Sequence, residues 1–213
     1  MSTPYEEGGY VNLKRRTRQA LVDAARDIVA TGRAPKVEEA AALAGVSRTT
    51  AYRYFPNQRA LLIGAHPEVA TGSMLDDEAP SDPVARLDIV VDRVLDLILS
   101  TEMQQRTMLR LSLEEDIQRR TDLPLRQGRV IPWLVEALAP LNASLGEEGV
   151  RRVALAIRSA IGIEALVWLT DVAKLSRDEA AETMRWSARS MLASALAGGA
   201  PASTAGADRK SRA

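Results

Sequence analysis

Apolar residues along this chain recur at intervals of three and four positions, the spacing of helices that each bury one face. The first such stripe consists of Leu21, Ala24, Ala25, Ile28 and Val29. It predicts a helix over residues 12–30, and similar stripes predict a short helix that ends at Gly45 and a third over residues 48–55. The alternating pattern typical of strands does not occur. The sequence therefore predicts an all-α protein.

Beyond His66 the texture changes to prolines and acids, which predicts a linker over residues 66–81. Asp82 followed by Pro83 then starts a helix, and further helices are expected from Thr101 toward Ile117, over 125–138, for some 27 residues from Glu147, and over 177–196. Pro132 should kink or restart the helix over 125–138. Ser176 with Glu179 forms a capping box for the last helix. His66 itself is expected at a helix cap or in solvent.

These elements predict a small N-terminal helix-turn-helix domain and a larger C-terminal helical bundle domain. The expected segments are a disordered arm over 1–11, the helix-turn-helix domain over 12–65, a linker over 66–81, a bundle over 82–197 and a disordered tail over 198–213.

The segment VSRTTAYRYFPNQRALL, residues 46–62, concentrates aromatic, hydroxyl and arginine side chains in a chain with only 4% aromatic residues. Ser47 is a good N-cap for the third helix. At 100° per residue Ala51 and Phe55 should point into the preceding helices. The side chains expected to point away from them are Thr49, Thr50, Tyr52 and Arg53. A short turn with glycine before such a helix predicts a helix-turn-helix whose exposed face contacts DNA.

Composition excludes several kinds of chemistry. The 213 residues include one histidine and no cysteine, so neither a disulfide nor a cluster of thiolate or imidazole metal ligands can form. The chain has no glycine-rich phosphate loop and no nucleophile motif, which argues against an enzyme. The sequence predicts no cofactor, no metal and no membrane association. A cytoplasmic location is expected, because the first residues lack the pattern of a targeting segment.

Net charge is zero, but its distribution is uneven. Residues 11–65 contain ten Lys and Arg against four Asp and Glu, a balance of +6. A basic amino-terminal segment on an otherwise acidic protein is typical of a nucleic-acid contact surface.

The segment KVEEAAALAGVSRTTAYRYFPNQRALL, with its preceding and following helices in register, resembles the helix-turn-helix of the TetR family of transcriptional regulators. The resemblance implies that Arg48, Thr49, Thr50 and Arg53 face base edges and that Tyr52 and Tyr54 bind the DNA backbone. Lys36 stands where the family commonly has a capping threonine, and Gln58 where a lysine often anchors phosphate. Lys36, Gln58 and the helix start at Asn57 are expected to approach phosphates.

The resemblance further implies a regulator, expected to be a repressor, that binds a palindromic operator in double-stranded DNA and is released by a small, partly apolar effector. It also implies a homodimer formed by the last two helices, whose small residues suit close packing against another pair. These residues are Ala154, Ala160, Gly162, Ala181 and Ala188. Candidate effector contacts are Met108, Arg110, Glu114, Trp133, Arg158, Glu164 and Trp168. The alternative is a DNA-binding architectural or partner-interaction protein without an effector.

Overall fold

The computed structural model describes residues 4–66, 72–114 and 128–199, and every regular element among them is helical. The α-helices are α1 (Pro4–Ala30), α2 (Val37–Leu43), α3 (Arg48–Tyr54), α4 (Gln58–Ala65), α5 (Pro83–Ser100), α6 (Glu102–Glu114), α7 (Val130–Leu138), α8 (Asn142–Ala160), α9 (Ile163–Val167) and α10 (Arg177–Ser194). A 3-10 turn (Ala139–Leu141) precedes α8, and π-helical turns follow α9 (Trp168–Val172) and α10 (Ala195–Gly199). The predicted all-α class is confirmed.

The chain forms two compact units, and each unit is made of two separate stretches of the sequence. Met1–Thr71 and Ser100–Gly128 belong to the first unit, and Gly72–Leu99 and Arg129–Ala213 to the second. The sequence assigned all of 82–197 to one domain, whereas α6 belongs to the amino-terminal unit. Gln104 Nε2 of α6 donates to the Arg26 carbonyl at 3.5 Å, and Arg110 Nη2 donates to the Gly32 carbonyl at 3.3 Å. Met108 is 3% exposed within the same core as the first four helices.

The core of the first unit is built by the predicted inward-facing residues of α1 to α4. Leu21, Ala40, Ala51 and Leu61 are fully buried, and Phe55 is 2% exposed. Because these side chains come from all four helices, they fix α3 against the others. Burial of this kind supplies most of the stability of short helices, which are marginal in isolation.

Helix α1 is longer than the sequence indicated. It begins at Pro4, so residues 4–11 are helical rather than the disordered arm that was expected. Proline suits the first position of a helix, where its missing N–H has no partner to lose. The helix ends as expected, with Gly32 at a positive φ of 82°.

His66 occupies the C-cap of α4, where its backbone N–H donates to the Ile63 carbonyl. It is 5% exposed. The expected capping position is therefore confirmed, and the alternative of a solvent-facing side chain is wrong.

The second unit packs α5, α7, α8, α9 and α10 around an apolar core. Leu87, Leu134, Ile157, Met184 and Leu192 are almost completely buried there. Helix α5 starts as predicted, since the Asp82 carboxylate accepts from the Ala85 N–H at 2.8 Å.

Helix α7 begins at Val130, later than residue 125, and residues 125–127 lie outside the described part of the chain. Pro132 is consequently the third residue of α7. In the first turn its missing N–H breaks no intrahelical hydrogen bond, so of the two predicted effects, a kink or a restart, the interior kink is not needed.

The long helix predicted from Glu147 is interrupted near its middle. Helix α8 gives way at Ile161 and Gly162, and α9 restarts at Ile163. A methyl group on Gly162 would lie 1.9 Å from Arg158 Nη1. The absence of a side chain at Gly162 therefore leaves room for the ion pair between Arg158 and Glu164, whose atoms Nη1 and Oε2 are 3.3 Å apart.

The stretch Val130–Val172 is long and apolar enough to cross a membrane, judged by length and composition alone. The core of a soluble protein meets the same criterion. Trp133, Leu134 and Ile157 of this stretch are buried within the second unit, so this property is a weak sign of a membrane span.

Candidate nucleic-acid interface

The turn between α2 and α3 is set by three residues. Gly45 adopts a φ of +66°, the left-handed conformation that follows many helix ends. Ser47 then caps α3 as predicted, because its Oγ accepts from the Thr50 N–H at 3.2 Å. The same hydroxyl donates to Thr50 Oγ1 at 2.9 Å. The Thr50 backbone N–H and one acceptor site of its hydroxyl are therefore already hydrogen-bonded inside the turn.

Helix α3 has one buried and one exposed face, as the helical spacing predicts. Ala51 is fully buried, whereas Arg48, Thr49 and Arg53 are exposed. Tyr52 is 36% exposed. The polar face is thus held outward by a packed apolar face, which is the arrangement that DNA-contacting helices require.

Phe55 closes the end of α3 in a tightly filled site. A methyl group on Gly64 of α4 would lie 2.9 Å from the Phe55 ring, so only glycine allows α4 to approach this closely. The guanidinium of Arg18 lies 5.4 Å from the ring centroid of Phe55, within the range of a cation–π contact.

Two residues of the exposed face interact with an acidic residue on α2. Arg48 Nη2 lies 2.8 Å from Glu38 Oε1, and the Tyr52 hydroxyl lies near enough to lower the pKa of the same carboxylate. The Arg48 guanidinium also lies 5.8 Å from the centroid of the Tyr52 ring. The Glu38 pKa is lowered, first by a hydrogen bond from its own backbone N–H, then by the Tyr52 hydroxyl and the nearby charge of Arg48.

The sequence interpretation did not identify Glu38 as part of this surface. Glu38 and Arg48 are ten positions apart on different helices, so neither helical spacing nor the motif pairs them. The crossing of α2 and α3 brings them together.

The remaining residues predicted to contact DNA lie around this face. Some of their hydrogen-bonding groups already have partners within the protein. Gln58 Nε2 donates to the Pro35 carbonyl at 3.1 Å, and Asn57 Oδ1 accepts from the Ala60 N–H at 2.8 Å as the cap of α4. Tyr54 is half-buried against the core of the first unit. The Arg53 guanidinium lies 5.8 Å from the Tyr54 ring centroid.

Lys36 occupies the N-cap position of α2 without a side-chain cap hydrogen bond, since an ammonium group has no lone pair to accept with. Glu39 supplies the other half of a capping box by accepting from the Lys36 backbone N–H at 3.2 Å. The exposed Lys36 ammonium is therefore not committed to the helix start.

The candidate effector residues are divided between the two units. Met108 is in the core of the first unit, and Arg110 donates to the Gly32 carbonyl at 3.3 Å. Glu114 ends α6, and its side chain lies outside the described residues. In the second unit Trp133 is 4% exposed and donates its indole N–H to the Gly72 carbonyl. That contact gives Trp133 a structural role.

The other effector candidates lie in the last part of the second unit, at and after the break between α8 and α9. Arg158 and Glu164 form the ion pair at the break between α8 and α9. Trp168 is 57% exposed on the π-helical turn that follows α9.

A groove of about 300 Å³ lies on the second unit between α8 and α10. Its lining consists of Val153, Ala156, Trp186, Ser187, Ser190, Met191, Ser194 and Gly199, and includes none of the candidate effector residues. Trp186 is 68% exposed at this groove.

Comparison with known proteins supports the TetR resemblance. No family model matches the chain. It is 36% identical over 101 residues to the HTH-type transcriptional repressor LfrR of Mycolicibacterium smegmatis. That match covers 46% of this chain and 52% of the relative, so the chain spans about half the length of the curated relative it matches.

The fold is similar to the crystal structure of a TetR transcriptional regulator from Rhodococcus sp. RHA1, with a TM-score of 0.53. The two chains are 17% identical, and the alignment covers 85% of this chain and 98% of the other. At that identity the likeness establishes the fold. It is the fold that the resemblance to the TetR family implied.

Proposed function

We propose that this chain, which has the fold of a TetR regulator, is a transcriptional repressor that binds a palindromic operator as a homodimer and is released by a small, partly apolar effector. A cytoplasmic location and the lack of catalytic activity belong to the same proposal. The observation that carries it is the outward polar face of α3, which displays Arg48, Thr49, Tyr52 and Arg53 above the buried Ala51.

The chemistry of this face suits DNA better than other polyanions. Arginine can form paired hydrogen bonds with guanine, and threonine can reach base edges or contact a thymine methyl. Tyrosine hydroxyls and lysine ammonium groups such as Lys36 bind phosphates, which position the protein without reading sequence.

A homodimer is supported by the surface of α10. Arg185 and Arg189 on one side of α10 pair with Asp92 and Asp88 of α5, at 2.6 and 2.7 Å. The stripe that contains Trp186, Ser190 and Ser194 is not used by these pairs and lines the groove toward α8. An exposed tryptophan in an apolar groove is typical of a protein interface.

The exposed stripe corrects the expectation that small residues of the last two helices pack against a partner. Ala154, Ala181, Ala188 and Gly162 are buried within one protomer, and Ala160 is half-buried. The contact between two copies is therefore assigned to the exposed groove residues instead. A twofold dimer would present two copies of α3 to an inverted repeat.

The architectural alternative, a DNA-binding protein without an effector, is favoured by one observation. The groove between α8 and α10 contains none of the candidate effector residues, and Trp133 is engaged with Gly72. A compound that stabilises the protein and also weakens DNA binding would support the regulator, because a ligand shifts an equilibrium only through its differential affinity for the two states.

The DNA-binding proposal is tested by selecting duplexes from a random pool with the full chain and measuring binding by fluorescence anisotropy. The selected sites should be inverted repeats, and log Kd should change steeply with log salt concentration, by about 0.9 for each phosphate neutralised. Tyr52→Phe and Arg53→Ala should weaken binding without lowering the Tm.

Two controls define the face assignment. Arg151→Ala removes an exposed arginine of α8 and should leave DNA binding unchanged. Phe55→Ala should instead cost about 3 to 5 kcal/mol of folding stability through loss of core packing. Equal losses of Tm in Tyr52→Phe, Arg53→Ala and Phe55→Ala would show that the faces of α3 are misassigned.

A further inference from the structure

An acidic side chain stands beside the face proposed to contact DNA, where it would face the negative phosphates. Glu38 is the second residue of α2, and its side chain is 36% exposed. Its Oε1 lies 2.8 Å from Arg48 Nη2, and the Arg48 guanidinium in turn lies 5.8 Å from the centroid of the Tyr52 ring. A carboxylate at such a place lowers affinity for any DNA, so its presence calls for a compensating role.

We propose that Glu38 is a positioning residue for DNA recognition, whose carboxylate fixes Arg48 beside the Tyr52 ring and thereby raises selectivity for the operator over other DNA. This inference rests on the proposed function, because it concerns how the same face of α3 discriminates between sequences.

The geometry leaves Arg48 able to bind DNA while it is held. One terminal nitrogen of the guanidinium donates to Glu38, and a guanidinium has five N–H donors. The Arg48 side chain is 71% exposed, so its remaining donors are accessible. The Tyr52 ring supports the guanidinium at 5.8 Å. A long, flexible side chain is thus restrained from two sides before DNA arrives.

Restraint of this kind affects selective and unselective binding in opposite ways. A fixed guanidinium loses less side-chain entropy when it forms paired hydrogen bonds with a base. A free guanidinium can turn to whichever phosphate is nearest, which favours every sequence equally. The carboxylate adds repulsion toward phosphates that only a well-matched site overcomes, which is a repulsive contribution to specificity.

The neighbouring Glu39 provides a matched control. It lies on the same turn of α2, but its carboxylate pairs with Arg33 at 3.0 Å and caps the Lys36 N–H. Glu39→Gln removes one negative charge while glutamine still serves in the capping box. It therefore measures the loss of a negative charge on α2 whose ion-pair partner is Arg33 and not Arg48.

The test compares the Kd of the full chain for a selected operator with its Kd for a scrambled duplex of the same length and composition. Glu38→Met removes the carboxylate that pairs with Arg48 at similar side-chain length. We expect its ratio of scrambled to operator Kd to fall about tenfold, a loss within the range set by one well-oriented base contact. Glu38→Gln, which keeps an acceptor for Arg48, should give an intermediate ratio. Glu39→Gln should tighten binding to both duplexes equally and leave the ratio unchanged.

The Arg48→Ala variant tests the route of the effect. If Glu38 acts through Arg48, adding Glu38→Met to Arg48→Ala should lower the ratio much less than it does in the wild-type background. Each variant is first shown by thermal melting to be folded.

Several outcomes would overturn the inference. It fails alone if the wild-type protein selects an operator and Glu38→Met is equally selective, or if Glu39→Gln loses as much selectivity. If the wild-type protein binds no duplex at all, the proposed function fails, and this inference fails with it.

Discussion

At the scale of single residues, the sequence predicts whether a side chain points inward or outward, but not which residue of another helix it contacts. Helical spacing placed Ala51 and Phe55 inward and Thr49 and Arg53 outward, and burial confirms both sets. The same spacing contains no information about a contact between helices, which is why the link between Arg48 and Glu38 was missed. Such a contact depends on the angle at which α2 and α3 cross.

The Glu38 carboxylate offers a direct readout of its contacts. Its pKa is lowered by its own backbone N–H first and by the Tyr52 hydroxyl second. Tyr52→Phe should therefore raise the Glu38 pKa part of the way toward 4.5, its ordinary value. In this variant the pKa of Glu38 should still lie below 4.5, because the backbone hydrogen bond and the charge of Arg48 remain. A pH titration of the carboxyl carbon by NMR measures both values.

The linkage to stability has a definite sign. Because the folded-state pKa of Glu38 is lowered, its ionised carboxylate stabilises the folded protein at pH values above the unfolded-state pKa. This stabilisation is lost as the pH falls through the folded-state pKa. Thr49→Ser, on the exposed face of α3, serves as the control and should leave the Glu38 titration unchanged. An unchanged pKa in Tyr52→Phe would exclude an effect of the Tyr52 hydroxyl on Glu38.

At the scale of elements, helices marked by strong local signals could be predicted and their interruptions could not. The Ser176 cap started α10 where the sequence indicated, and Asp82 did so for α5. The break at Gly162 was missed because the apolar stripe continues through it. A glycine within a helical pattern only weakens the prediction, and the ion pair that occupies the space is visible only in three dimensions.

The capping box of α10 makes a quantitative prediction. Ser176 Oγ accepts from the Glu179 N–H at 3.2 Å, and Glu179 accepts from the Ser176 N–H at 2.8 Å. Ser176→Ala should lower the free energy of unfolding by about 1 kcal/mol, because the helix loses one of its terminal hydrogen bonds. Chemical denaturation with matched m-values measures this difference.

The same substitution should raise the Glu179 pKa, which the backbone and hydroxyl groups of Ser176 now lower. Ser159→Ala, at an exposed position of α8, is the control for loss of a serine hydroxyl outside a cap. Equal effects of the two substitutions on stability would show that the cap contributes nothing specific.

At the scale of the whole molecule, the number of units could be predicted and the membership of α6 could not. An amphipathic pattern states that a helix has a buried face, but not which core covers it. Gln104 and Arg110 of α6 donate to the main-chain carbonyls of Arg26 and Gly32, at 3.5 and 3.3 Å. These polar contacts bind α6 to the amino-terminal unit, although the chain reaches it only after α5.

Dimerisation is a property of the whole molecule, and burial decides which substitution can test it. Ala188 is 1% exposed, so a charge there would unfold the protomer and report nothing about a partner. Trp186, two residues earlier, is 68% exposed. Trp186→Glu should therefore leave the fold intact while it places a charge in the apolar groove between α8 and α10.

We expect Trp186→Glu to be monomeric at concentrations where the wild-type protein is a dimer, as measured by sedimentation velocity. Its affinity for a full inverted repeat should fall far more at low than at high protein concentration, because the defect lies in association and not in α3. Binding to an isolated half-site should be unchanged. Val84→Glu, at an exposed apolar position of α5, controls for the added charge and should remain dimeric. If Trp186→Glu were folded and monomeric yet bound the full repeat with wild-type affinity at every concentration, recognition of the palindrome would not depend on this interface.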